Sequence, residues 1–365
     1  MTGLNSARVI VAGAGALGAS VALELARAGA AVVLADPAAP GDNASGVAAG
    51  MLAPAFEAVL DQGSTPHFPL LRAARDLWDE HAAGLGDIGL RRSGVVWIDL
   101  PGAAPRIDEH ARELAALGVE TKQLSAGALS VRVPGLAADL GPGLLTAEDW
   151  RLEPRRALEA LREAALAAGV RVVAQSVLAF EPGAAHLSGG EAVAADFLVL
   201  ATGADHCDLA PELAALSPIK GQILCYAGAA TDDANEDNWP VVRCDGGYAV
   251  PARDGLRIGA TMELGVADRE ATADATATLD RLSTRLFPGL KGAAFTARAG
   301  VRAATPDGLP LAGPSVRQGV FLAAGARRNG WLLAPLVARM LAAYLADRDP
   351  GLHASLLAAR RFASS

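Results

Sequence analysis

Three glycines, one acid and a pair of arginines are the residues whose types and spacing point to chemistry. Gly13, Gly15 and Gly18 form G-x-G-x-x-G, and Asp36 follows at roughly the 20-residue distance expected of a ribose-binding acid. In such a motif the first glycine permits a tight turn, and the second lets backbone approach a pyrophosphate. The third lets a helix lie close to a strand. Ala16 and Leu17 would begin that helix, with free N–H groups and a positive dipole end facing the phosphate. Arg327 and Arg328 lie between Gly325 and Gly330, in a polar turn that opens a C-terminal helix. Two cations at a helix N-terminus argue for contact with an anion.

These residues need particular elements around them. Arg8–Ala12 is a short Val/Ile run, the composition of a buried strand, and 32–35 is a second such run ending at Asp36. Together they make a strand, turn, helix, strand unit, the context in which the glycine motif is informative. Residues 37–54 are small and glycine-rich, suited to laying backbone N–H groups against a ligand. Residues 197–200 form another apolar strand, ending in Ala201, Thr202 and Gly203. Ligands of open parallel sheets sit beyond the carboxyl ends of strands, so Thr202 and Gly203 should face the same ligand.

Helical periodicity appears at 68–85, 106–117, 154–168, 268–287 and 332–345. His81 continues an apolar stripe and reads as a core histidine. From 218 to 295 the texture changes to short strands at 223–226, 241–244, 248–251 and 256–261, parted by Gly/Asp turns, which predicts an antiparallel sheet. The expected fold class is α/β, a Rossmann-like cofactor domain joined to an α+β substrate domain. The cofactor domain is expected from residues 1–85, 143–217 and 296–365, and the substrate domain from 86–142 and 218–295.

Composition sets limits. The 365 residues suit two joined domains, and 52% hydrophobic content supports a sizeable core. A net charge of -8 argues against a nucleic-acid partner. Cys207, Cys225 and Cys244 have no metal or redox spacing, so reduced thiols are expected, with no metal site. The first apolar stretch runs straight into the glycine turn and reads as a strand, not a signal peptide. No apolar run is long enough to span a bilayer, and the expected compartment is the cytoplasm.

Several blocks, in order along nearly the whole chain, resemble the D-amino-acid oxidase superfamily of FAD amine oxidases, in particular its glycine-oxidase branch. They are GAGALG at the N-terminus, Ala48-Ala49-Gly50-Met51-Leu52-Ala53-Pro54, Lys220-Gly221-Gln222, Tyr248-Ala249-Val250-Pro251, Gly259-Ala260-Thr261-Met262-Glu263, Thr305-Pro306-Asp307-Gly308-Leu309-Pro310 and Arg328-Asn329-Gly330. The resemblance implies that Gly13, Gly15, Ala16, Leu17 and Gly18 hold the FAD pyrophosphate, and Asp36, with Pro37 beside it, the adenosine ribose. It implies that Val177 meets the adenine, with Thr202 and Gly203 nearby. Ala44, Ser45, Ala49, Gly50 and Met51 would line the flavin. Gly325, Arg327, Arg328, Asn329, Gly330, Trp331 and Leu332 would lie at its edge. Arg302 would pair with the substrate carboxylate and Tyr248 would close that site, with Arg328 and Met51 completing the catalytic set. Read alone, Arg302 is more readily a surface salt-bridge residue; its place within the resembling blocks reverses that preference.

The branch departs here at Ala326, Arg327 and Trp331. A second arginine beside Arg328 makes the pocket mouth more basic and leaves room for a larger or more acidic amine. Covalent members of the superfamily use a cysteine near the C-terminal segment; this chain has none beyond Cys244, so FAD is expected to be non-covalent. The implied reaction is oxidation of glycine, sarcosine or a small D-amino acid. Dioxygen would be the acceptor and peroxide the product, with the imine hydrolysed or captured for thiazole assembly in thiamine synthesis. An FAD dehydrogenase using a quinone or protein acceptor, a non-catalytic dinucleotide binder and an NAD enzyme remain open alternatives, and homo-oligomer formation is left open.

Overall fold

The computed structural model describes residues 4–205, 208–228 and 238–362; Cys207 lies outside them. Arg8–Ala12 sits inside a six-stranded sheet, ordered Leu311–Pro314, Val320–Ala324, Phe197–Leu200, Arg8–Ala12, Ala31–Ala35, Arg171–Val173. All neighbours pair in parallel except the edge strand Leu311–Pro314. The period-2 geometry of a strand explains why its residues are apolar on both sides. Val9 and Val11 pack under the helices, while Ile10 and Ala12 meet a three-stranded sheet on the other face. The helices Ala16–Arg27, Pro154–Ala167 and Gly330–Leu345 cover the first face. Thus the last long helix packs on the first one, as the expected closure by the C-terminal segment requires.

The second sheet has nine strands. Its order is Glu263–Leu264, Ser217–Ala227, Gly255–Gly259, Gly247–Ala252, Val241–Cys244, Val95–Ile98, Gly143–Thr146, Lys122–Leu124, with Thr296–Ala304 paired to Ser217–Ala227. It departs from expectation in two ways. Val241–Cys244 runs parallel to Val95–Ile98, so the sheet is mixed and not wholly antiparallel. Gly143–Thr146 and Thr296–Ala304, expected with the cofactor unit, are strands of this second sheet. Both are placed by partners distant in sequence.

Helix boundaries also differ from the periodicity. The stripe at 68–85 breaks into Phe68–Asp76 and Trp78–His81. The helix expected from 268 is Ala273–Leu286. Residues before it are held as a strap: the Lys220 ammonium donates to Asp268 at 2.6 Å, and the Thr272 N–H to Gln222 at 2.8 Å. His81 is buried against Ser20, with Nε2 and Oγ 3.0 Å apart, and burial pushes its pKa down to about 4. That is a neutral core histidine. Cys225 and Cys244 are free thiols. Among the described residues no helix is long and apolar enough to cross a membrane.

Candidate active site

Two cavities meet between the sheets, sharing Ala44 and Arg302. The first, about 650 Å³, opens at the carboxyl ends of the parallel strands. Gly13, Gly15, Ala16, Leu17, Asp36, Pro37, Ala44, Ser45, Val177, Thr202, Gly203, Gly325, Arg327 and Gly330 all line it. The glycines divide the work as the motif predicts. A Cβ on Gly13 would collide with the Ala201 carbonyl, and its φ of +102° is a left-handed conformation that favours glycine. A Cβ on Gly18 would collide with the Gly13 carbonyl, so Gly18 sets the helix against the turn and lines neither cavity. Gly15 faces Ser45 and open space. Asp36 accepts the N–H of Ala14 at 2.6 Å and of Ala38 at 2.8 Å, which fixes its carboxylate at the cavity edge. Ser45 Oγ accepts the Ala16 N–H at 2.9 Å. A cavity of this volume with a glycine-cleared wall and a helix N-terminus fits a dinucleotide.

The second cavity, about 400 Å³, is lined by Ala49, Gly50, Met51, Glu57, Leu60, Arg243, Gly246, Gly247, Tyr248, Met262, Arg302, Arg328, Asn329 and Trp331, among others. Trp331 is buried; its indole N–H donates to the Ser45 carbonyl at 3.0 Å, holding the short helix Ala44–Val47, whose first residue lines both cavities. Leu332 lines neither cavity and packs in the core under the parallel sheet.

Arg302 comes from Thr296–Ala304, opposite Ile219. Its guanidinium reaches across Gly221, where any Cβ would strike it. Among the described residues nothing forms an ion pair or hydrogen bond with it, and burial lowers its pKa while leaving it a cation. Burial also raises the Tyr248 hydroxyl, with Arg302 and Arg243 opposing, so the phenol stays a donor. An unpaired guanidinium beside a phenol is a receptor for one carboxylate.

The paired arginines do not have the role their adjacency suggested. Arg327, in a left-handed conformation with φ of 52°, pairs with Asp61. Arg328 Nε pairs with Glu57 Oε2, and its Nη2 lies 3.5 Å from Asp61. The mouth is therefore compensated there, not additionally basic. Glu57, Asp61 and Arg243 were missed from sequence. Glu57 Oε1 accepts from Arg243 Nη2 at 2.9 Å. Burial pushes the Glu57 carboxyl up, but Arg328 and Arg243 pull harder and hold it below its ordinary value. The available signal was a lone acid in the apolar helix Pro54–Leu60 and a lone arginine in the strand Val241–Cys244.

Asp149 positions Glu57. It is buried and accepts the N–H groups of Ala55 at 2.7 Å and Phe56 at 3.0 Å, at the start of the helix that carries Glu57. Burial pushes its carboxyl from 3.8 up to about 7, against those two bonds. The folded protein thus keeps a proton that the unfolded chain releases. The stability this gives is full below the unfolded pKa and is lost as pH rises through the folded one. Between about pH 4 and 7, the stability difference between Asp149→Asn and wild type should move in the variant's favour by up to ~1.4 kcal/mol per unit, and level off above that. Denaturant melts at several pH values check this; a pH-independent difference removes Asp149 as the titrating group.

A parallel sheet with a glycine motif at its carboxyl edge, capped by a second sheet that brings an unpaired cation to the same opening, defines a two-domain nucleotide-cofactor oxidoreductase. A family model described as DAO, FAD dependent oxidoreductase, matches residues 8–344. The chain belongs to this family; it is an FAD-dependent amine or amino-acid oxidoreductase of the glycine-oxidase kind. It is 30% identical to the glycine oxidase of Pseudomonas putida over 371 residues, covering 94% of this chain and 96% of that one. It is also 30% identical to the glycine oxidase of Geobacillus kaustophilus over 351 residues, covering 92% of this chain and 91% of that one. The crystal structure of glycine oxidase from Geobacillus kaustophilus superposes with a TM-score of 0.85 at 27% identity, covering 99% of this chain and all of the other.

Proposed function

We propose that this chain oxidises the amine of a small amino acid, with Arg302 and Tyr248 fixing its carboxylate and dioxygen as final acceptor. The observation that carries this reading is Arg302: an unpaired, enclosed guanidinium that lines both the dinucleotide cavity and the smaller one. Bound FAD, held without a covalent link, supplies the hydride acceptor. The residues of the chain do the rest by placement. Arg302 donates a two-pronged pair of hydrogen bonds to the carboxylate, and Tyr248 donates a further one, so the Cα–H is presented in one orientation. Met51, Leu60 and Met262 exclude water around the carbon. The surrounding guanidinium groups favour a neutral over a protonated substrate amine, which is the form that gives up a hydride. Glu57 is committed to Arg243 and Arg328 and serves no proton-transfer role. The imine then hydrolyses to a 2-oxo acid and ammonia. We place the reaction in the cytoplasm, where Cys225 and Cys244 stay thiols.

The test is anaerobic mixing of the yellow holoprotein with a panel of amino acids, followed by admission of oxygen. Bleaching of the flavin absorbance and rapid recovery with peroxide is the expected result. No bleaching with any amine overturns the reading. Bleaching with slow recovery replaces dioxygen by a quinone or protein acceptor.

A further inference from the structure

A third cavity, of about 640 Å³, adjoins the smaller one; Val47, Ala48, Ala49 and Ile223 line both. Arg298, Gly300 and Arg302 alternate onto one face of the strand Thr296–Ala304. The short helix Ala44–Val47 rests on Gly300, where an added Cβ would come 3.1 Å from the Ala44 Cα. Arg302 is left to the smaller cavity and Arg298 to the third, about 13 Å apart along the strand at its ordinary rise.

Arg155, Arg156, Arg253, Arg257 and Arg298 line this third cavity, against the carboxylates of Glu153 and Asp254. Both acids are engaged. Asp254 pairs with Arg257. Glu153 accepts the Arg253 N–H at 3.0 Å and lies 3.6 Å from Arg156, which also donates to Asp87 at 2.7 Å. Among the described residues the side chains of Arg155, Arg253 and Arg298 make no ion pair or hydrogen bond. These three cations are gathered in a chain whose net charge is -8. Cys225 stands opposite Arg257 in register, and Ile223, two residues before it, opposite Arg298. Both arginines therefore leave the same face of the sheet. Burial raises the Cys225 thiol, with the charges of Arg257, Arg298 and Arg155 opposing, so guanidinium groups from three elements surround it. Arg155 belongs to the first turn of Pro154–Ala167, whose positive dipole end adds to the same field.

We infer that this third cavity binds a small polyanion, a phosphate compound or a polycarboxylate, held by Arg155, Arg253 and Arg298. Like charges gathered around one hollow repel one another, and an anion of two or three charges among them replaces that repulsion with attraction. The guanidinium fork matches phosphate and carboxylate oxygens alike, so multiple negative charge on a small body is the property selected. A cavity of this size takes a small molecule. The inference stands apart from the amine-oxidising reading, since no part of it involves turnover.

The test is calorimetric titration of the FAD-loaded protein, whose dinucleotide cavity is filled, with pyrophosphate, citrate and acetate at constant ionic strength. Pyrophosphate or citrate should bind at one site per chain, with a Kd about tenfold or more below that of acetate, a difference one additional charged hydrogen bond supplies. Binding of pyrophosphate alone identifies a phosphate compound as the ligand, and binding of citrate alone a polycarboxylate. Arg298→Gln should weaken the interaction by about tenfold or more. Arg155→Glu should weaken it at least as much; the residue is exposed, and an acid suits the first turn of a helix, so this variant should fold. Arg302→Ala, which empties the clamp of the smaller cavity, should leave polyanion binding unchanged. A polyanion affinity no better than that of acetate, or one retained in both Arg298→Gln and Arg155→Glu, overturns the inference. So does an affinity lost in Arg302→Ala instead, which would move the anion to the amine cavity. Should Arg298→Gln not fold, Arg155→Glu decides. Flavin bleaching by amines is scored separately, so failure of either reading leaves the other standing.

Discussion

Arg302→Ala is expected to lower kcat/KM by roughly 30- to 1000-fold, mainly through KM, with FAD still bound. The loss corresponds to about 2–4 kcal/mol, the range for removing one partner of an enclosed, hydrogen-bonded charge pair. The KM emphasis follows from its role: a carboxylate clamp holds ground state and transition state alike, so its removal weakens binding in both. FAD should remain because the bonds that shape the glycine turn, Ala14 N–H to Asp36 and Ala16 N–H to Ser45, do not involve Arg302. Arg302→Lys keeps the charge but loses the fork, and should recover only part of the activity. Gly221→Ala supplies an independent check. The added methyl occupies the place of the Arg302 guanidinium, so this remote-looking substitution should reproduce much of the arginine deletion. Steady-state kinetics beside flavin-to-protein absorbance ratios measure both. Unaltered kinetics in Arg302→Ala would remove that residue from the site.

That Gly221 serves Arg302 illustrates what a linear reading can reach. The glycine motif, the strands beside it and the closing helix were legible because each is a local pattern: an apolar run, a spacing of glycines, a helical stripe. Arg302 and Tyr248 were legible only through the resemblance of whole blocks, since a single arginine in a strand carries no local signal. Sheet membership was not local either. Gly143–Thr146 and Thr296–Ala304 have strand composition, but their sheet is set by pairing with Val95–Ile98 and Ser217–Ala227. The charge of the cavity failed for the same reason. Adjacent Arg327 and Arg328 advertise basicity, while Glu57 and Asp61, which pair with them, stand some 270 residues earlier. Arg243, likewise, is a single arginine in an apolar strand with no local signal, yet it lines the cavity and pairs with Glu57.

Gly15→Val should yield a folded protein that does not hold FAD. The three motif glycines differ in what surrounds them, and the prediction depends on that difference. Side chains at Gly13 and Gly18 would run into backbone carbonyls, which cannot move without opening the turn, so Gly18→Val should unfold the domain. At Gly15 the first added carbon comes 3.0 Å from Ser45 Oγ, a rotatable hydroxyl. The hydroxyl can swing away at the cost of its bond to the Ala16 N–H, roughly 1 kcal/mol. The γ carbons of valine then enter the cavity at the helix N-terminus, where a pyrophosphate must come against backbone. Losing that approach should weaken FAD by about 100-fold or more, ~2.7 kcal/mol. The variant should therefore purify colourless, with a thermal transition close to that of the wild-type apoprotein, and show weak quenching on FAD titration. A yellow Gly15→Val with stoichiometric flavin would mean that this stretch is a packing device between helix and strand and that the cofactor lies elsewhere. The same result would detach Arg302 from its proposed place, because that assignment depends on the two cavities being filled by one cofactor and its substrate.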